Sequence, residues 1–180
     1  MLFQAVLIKL QKMTKKSRVP SNDVLWPMLI IRKSQAGDNI FLRKIVHQSL
    51  ESFGIESDFE HLDYAVGMSG KADSPNIIEL VASQNNVVCG CLVVSRLAQD
   101  EGKLNGFHVD AQFRGSGIGK MLLESAVIEA KRLGLKRLYL ETWGNMHAAI
   151  HLYEINGWKR EINPPKESGA NRAYSLKLAV

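Results

Sequence analysis

The stretch Gln112-Phe113-Arg114-Gly115-Ser116-Gly117-Ile118-Gly119-Lys120 limits what this chain can fold into more than any other. Before it, Lys103 to Val109 reads as a strand. After it, from about Gly117 to Leu133, apolar residues recur at Ile118, Leu122, Ala126, Ala130 and Leu133, which is helical spacing. A glycine-rich turn between a strand and a helix start gathers free backbone N–H groups and the positive helix end at one point. Glycines keep side chains out of a ligand's way. The product is an anion site suited to a phosphate or pyrophosphate. Two familiar versions of such a site fail here. A nucleotide-hydrolase phosphate loop needs four residues between its glycines and then Lys-Ser/Thr, whereas only three residues lie between Gly115 and Gly119 and Met121 follows Lys120. A dinucleotide fingerprint needs a third glycine where Lys120 stands.

The rest of the chain supplies strands and helices around that turn. Met28 to Arg32 reads as a short strand, and Asp38 is placed to cap a helix with apolar Ile40, Phe41, Ile45 and Val46. A second helix is expected from Ser57 or Asp58 through Tyr64, followed by a loop from Gly67 to Pro75. Ile77 to Ala82 and Val87 to Val94 are strands joined across Asn85-Asn86, a hairpin signal because Asn tolerates positive φ. Gly134 stands where the long helix should stop. A strand over Arg137 to Thr142, a helix over Met146 to Ile155, and strands over Trp158 to Ile162 and Tyr174 to Leu178 complete the pattern. This order implies an α/β or α+β sheet with helices on both faces.

Composition narrows the class. A chain of 180 residues, 46% hydrophobic and 23% charged, suits one globular domain. No apolar run approaches the ~18 residues of a membrane span, so no membrane partner is expected. The formal charge of +5 is concentrated early: Lys9, Lys12, Lys15, Lys16 and Arg18 crowd the first residues. Without an aromatic–basic stripe, a nucleic-acid partner is not expected, whereas a basic surface suits an anionic co-substrate. Residues 1–25 therefore read as a basic, mobile extension and 26–180 as the domain; an organelle-targeting leader and a true start at Met13 stay open beside that reading. The cysteines are Cys89 and Cys91 alone. Two apart on a strand, they are expected on one face as buried free thiols of a reducing, cytoplasmic compartment, with no metal site.

Gln112, Gly115 and Gly117 fill the pattern Gln/Arg-x-x-Gly-x-Gly/Ala. With Ile118-Gly119-Lys120-Met121-Leu122-Leu123 after it, this region resembles the CoA-binding turn of the GNAT superfamily of N-acyltransferases. A second region, from Leu140 through Asn145, Ala148-Ala149 and Leu152-Tyr153-Glu154 to Gly157-Trp158, is similar to that family's other conserved element. The resemblance runs from about Met28 to the C-terminus. It implies a mixed, mostly antiparallel sheet of six to seven strands with a central parallel, splayed pair and helices on both faces.

The resemblance also implies a function: transfer of an acetyl group from acetyl-CoA, as co-substrate, to an amine by direct attack. The CoA site would comprise Phe107, His108 and Val109 on the strand. Gln112, Phe113, Arg114, Gly115, Ser116, Gly117, Ile118, Gly119 and Lys120 would form its turn, and Asn145, Ala149 and Tyr153 the second element. Asn145, Ala149 and Leu152 or Tyr153 follow at steps that keep one helix face. A backbone N–H near Val109 would polarise the thioester carbonyl, and Tyr153 would protonate the departing thiolate as general acid. For the base, Glu79, Glu141, His108 and a chain of waters stay open, with Glu141 also readable as a partner of Arg137 or Lys136. Phe53 to Tyr64 and Asn163 to Asn171 are expected to wall the acceptor pocket; Glu51, Glu56, Asp58, Glu60 and Asp63 make the first wall acidic, which suits a cationic amine. The acceptor is a small molecule or a protein or peptide amine, and a homodimer is compatible with this reading. A non-catalytic acyl-CoA sensor is the alternative; it could do without Tyr153, which is present.

Overall fold

A computed structural model describes residues 28–162 and 168–179. The expectations for residues 1–25 and for the Pro164-Pro165 stretch lie outside the described residues. Seven strands form one sheet in the order β1-β2-β3-β4-β5-β7-β6. They are β1 (Leu29–Lys33), β2 (Asn76–Gln84), β3 (Val87–Ala98), β4 (Glu101–Val109), β5 (Arg137–Thr142), β6 (Lys159–Arg160) and β7 (Arg172–Lys177). Every neighbouring pair is antiparallel except β4 and β5, which run parallel. The helices are α1 (Asn39–Glu51), α2 (Tyr64–Met68), α3 (Ile118–Arg132) and α4 (His147–Ile155).

The sheet separates two cores. On one face Ile118, Leu122, Leu123, Ala126 and Ala130 of α3 pack on Leu92, Val94, Leu104, Leu138 and Leu140, with Tyr153 of α4 and Trp158 in the same cluster. On the other face Leu42, Val46 and Leu50 of α1 and Val66 of α2 cover Val81, Cys91 and Val93. Both faces of the central strands are apolar for this reason, and alternation is weak there.

The hairpin expected at Asn85-Asn86 forms, with φ of 51° and 66° at the two residues, the twist a two-residue β-turn requires. Other expectations need correction. In α1 the buried residues are Leu42, Ile45, Val46, Ser49 and Leu50, while Ile40 and Phe41 are exposed. Leu42 starts a stripe at steps of three and four that leaves Ile40 and Phe41 outside it. Asp38 does not cap α1 with its side chain; its carboxylate accepts hydrogen bonds from the Arg32 guanidinium at 2.6 and 2.8 Å and from the Gln35 N–H. The second helix begins only at Tyr64, because Asp58 and Asp63 bond into a turn. Gly67 and Met68, expected in a loop, close this helix.

Cys89 and Cys91 fall in opposite cores. Ala82 pairs with Gly90 and Ser83 with Val88, so Cys89 is an extra residue, a β-bulge that resets the alternation. Both thiols are free and buried.

Candidate functional site

Beyond Leu104 and Leu140 the parallel pair stops: β4 and β5 are in register from Glu101↔Arg137 to Leu104↔Leu140 and no further. The cause lies in β4. Cys91 pairs with His108 and Val93 with Asn105, so Leu92 faces two residues, Gly106 and Phe107. Gly106 has φ of +53°, and a Cβ there would meet Val66 Cγ2 at 2.0 Å. Only glycine fits, and the bulge it makes bends the strand end away from β5. A glycine inside a strand is the signal that could have shown this from sequence.

The splay opens a cavity of about 500 Å3. One wall is Lys103 to Val109 of β4; the other is Glu141, Thr142 and Trp143 with Met146, Ala148, Ala149, His151, Leu152 and Tyr153 of the α4 region. The glycine turn closes one end, with Ser49 of α1 bonded to it through Arg114, and Leu50, Phe53, Leu62 and Asp63, from α1 and the loop before α2, also line the cavity. Ser168 and Ala170 also line it.

At the turn, Gly115 and Gly117 have φ of +77° and +88°, with open space where a Cβ would project. Among the described residues, no acceptor engages the backbone N–H groups of Gly115 through Lys120; the first bond of the helix is Met121 N–H to Gly117 O. The turn is held from outside. Asp110 accepts from the Gln112 N–H, the Ser116 hydroxyl donates to Phe113 O, and the Arg114 guanidinium donates to Val109 O and Ser49 Oγ. These bonds fix a row of six amides at a helix start, the arrangement an oxyanion of a pyrophosphate needs.

Tyr153 is 5% exposed and packs in a cluster with Phe107, Trp158 and Tyr174, ring centroids 6.0, 5.7 and 5.9 Å away. It lines the cavity, and burial pushes its phenol far above the ordinary value, so it is a neutral donor at every working pH. His108 lines the cavity too. Burial, with the positive Arg114 nearby, pushes its imidazole down to about 4, leaving the ring neutral.

The base candidates separate. Glu79 does not line the cavity: it is 6% exposed and accepts hydrogen bonds from the Ser74 hydroxyl, the Asn76 amide and the Gly70 N–H. It ties the loop before β2 in place. Glu141 does line the cavity, paired not with Arg137 or Lys136 but with Lys103 at 2.9 Å, and it accepts from the Tyr139 hydroxyl at 3.1 Å. Burial opposes its charge, but Lys103 and its hydrogen bonds hold the carboxyl below the usual range.

Of the CoA-site residues expected from sequence, Gln112, Ser116 and Asn145 do not line the cavity and the others do. Asn145 is exposed, and α4 begins two residues later with Met146 at its N-cap, so Asn145 is not on the helix face that Ala149 and Tyr153 share. Met146 lines the cavity instead. Lys103, Gly106 and Met146 were not singled out from sequence: Gly106 had its place inside a strand as a signal, whereas a lysine and a methionine carry none until their strand register and helix start are known.

The fold and the cleft together define a mixed sheet split at its one parallel pair, with a glycine-rich helix start at the split. Residues 41–158 match the acetyltransferase (GNAT) family, and the chain belongs to that family. A [ribosomal protein bS18]-alanine N-acetyltransferase from Salmonella typhimurium is 37% identical over 91 residues, 48% of this chain and 62% of that protein. The chain thus spans less than two thirds of that relative. An acetyltransferase of the GNAT family from Staphylococcus aureus Mu50 superposes with a TM-score of 0.74 at 21% identity, over 84% of this chain and 99% of that one. A Salmonella typhimurium protein solved with its cofactor acetyl-CoA superposes with a TM-score of 0.68 at 17% identity, over 84% and 95% of the two chains. These two likenesses concern the fold. Among the described residues no group of His, Cys, Asp and Glu could hold a metal ion, and no helix is long and apolar enough to cross a membrane.

Proposed function

We propose that this protein is an acetyl-CoA-dependent N-acetyltransferase that moves an acetyl group to an amine. One observation carries the reading: a helix-start turn with unengaged N–H groups, of which Gly115, Gly117, Ile118, Gly119 and Lys120 line the cavity, and a neutral, buried tyrosine share one cavity between splayed parallel strands. The residues fit the co-substrate. Gly115 to Lys120 would take the pyrophosphate, and the unpaired backbone of β4 beyond Leu104 would take the pantetheine amides. Acetyl-CoA supplies an acyl group on a good leaving group.

The chain's own residues then have distinct tasks. Backbone N–H groups beside the Gly106–Phe107 bulge polarise the carbonyl as charge develops on its oxygen. Tyr153 gives its proton to the thiolate as it leaves. The amine must lose a proton before it attacks. His108 and Glu141 are both too weakly basic to strip an ammonium ion unaided, so the proton leaves through water beside them. Activity should therefore rise with pH toward the amine's own pKa.

Thiol release across a panel of primary amines tests the reading. Acetyl-CoA-dependent release with at least one amine, matched by the N-acetyl product, is expected. Tight acetyl-CoA binding with no release on any amine would replace this reading by a non-catalytic acyl-CoA sensor.

A further inference from the structure

Two carboxylates line the acceptor end of the cavity, Asp63 and Glu141, and they are not equivalent. Glu141 already has a cation, Lys103, at 2.9 Å. Asp63 forms no ion pair among the described residues. Its Oδ2 accepts the Asp58 N–H at 2.8 Å, and its own N–H donates to Asp58 O. These two bonds fix the side chain. Its Oδ1 has no hydrogen-bond partner among the described residues.

The position of Asp63 follows from α2. Val66 packs against Gly106, the glycine of the β4 bulge. Asp63 precedes Val66 by three residues, about one helical turn or ~5 Å of axis. Burial pushes the Cys91 thiol, which donates to Gly106 O at 3.1 Å, up to about 12, and the Asp63 charge adds to that rise. Asp63 and Gly106 line the same cavity, so a carboxylate shares it with the strand backbone that would hold the acetyl carbonyl. Leu50, Phe53 and Leu62 line the same cavity and give it apolar surface.

We propose that Asp63 is the anchor for the acceptor: its free carboxylate oxygen takes an N–H of the incoming ammonium group, and the wall of Leu50, Phe53 and Leu62 selects an apolar substituent next to it. The acceptor class is a primary ammonium ion on an apolar carbon skeleton, including a peptide N-terminus with an apolar first side chain. The proposal rests on the N-acetyltransferase reading. Burial raises the carboxyl of Asp63, as expected of a charge that still lacks its cation. An arriving ammonium ion supplies one. Asp63 is a positioning residue; it holds the amine before proton loss and takes no part in breaking the thioester.

The test compares the parent with Asp63→Asn and Asp63→Glu, using phenethylamine and a hexapeptide beginning with alanine as acceptors. Asn keeps a carbonyl oxygen for the Asp58 N–H, so the loop is retained while the charge is lost. A hydrogen bond to a charged group is worth ~10- to 100-fold, and that loss is expected in acceptor KM, with kcat within ~3-fold and acetyl-CoA affinity unchanged. Asp63→Glu should recover part of the KM. A parent that turns over both acceptors, beside an Asp63→Asn variant with the parent's KM, overturns the anchor alone. An equal loss in acetyl-CoA affinity, with no recovery in Asp63→Glu, also overturns it, because it marks a structural role. A parent that turns over other primary amines but neither of these overturns the anchor's acceptor class alone, whereas one that binds acetyl-CoA yet releases no thiol with any amine of the panel removes the acetyltransferase reading, and the anchor with it.

Discussion

The two ends of the cleft are built by different means. The glycine turn is mostly local: one strand end, one helix start and nine consecutive residues contain it, and its hydrogen bonds to Asp110, Phe113 and Val109 stay within a few residues, with one distant bond from Arg114 to Ser49 of α1. The acceptor end draws on α1, the loop before α2, a bulge in β4 and the end of β5, residues as far apart as Leu50 and Ser168. The co-substrate end needs one fixed task, which a short motif can encode. The acceptor end sets specificity, and its parts come from elements that vary independently. A change at the first end should abolish binding outright, while a change at the second should retune it.

The largest expected effect is at the turn. Gly117→Glu puts a carboxylate at a φ of +88°, in the open space before the six amides. CoA affinity should fall by more than ~100-fold, since like charge replaces a helix-terminus attraction. Calorimetry reads the loss, and circular dichroism should show the fold retained. Equal affinity would break the contrast between the two ends.

Tyr153→Phe comes next. The ring keeps its packing on Phe107, Trp158 and Tyr174, so acetyl-CoA affinity should hold. Loss of the proton donor should lower kcat by ~10- to 100-fold, the low end for a general acid because a thiolate leaves readily. Full activity in steady-state kinetics would make Tyr153 a packing residue.

A smaller effect concerns His108. Its folded pKa, about 4, is below the value of an exposed imidazole. On acidification the unfolded chain takes the proton first, so stability is full above pH ~6.5 and declines from there toward about 4. Thermal unfolding across that range should show the decline, and His108→Gln should flatten it. The smallest effect belongs to Asn145→Ala, expected to change CoA affinity less than ~2-fold because the residue is exposed outside the cavity. A large loss there would restore it to the site.

The same contrast explains what the sequence made legible. The Asn85-Asn86 hairpin and the long α3 follow from local patterns, the parallel pair from the family resemblance, and each formed. The faces of Cys89 and Cys91 did not, because a bulge is a miscount between two strands and neither strand alone records it. Ile40 and Phe41 misled for a related reason: apolar residues fit two stripes of α1, and packing on Val81 and Val93 chose the one through Leu42 and Val46. Asp63 stood among five acidic residues in sequence; only the bond from Asp58 and the position of Val66 on Gly106 set it apart.

Backbone amide spectra of the protein, recorded while CoA is titrated, test the central claim most directly. The account predicts saturation at one CoA per chain, with the largest shifts and slowed exchange at the N–H groups of Gly115 through Lys120. Binding that leaves those amides unmoved would contradict it.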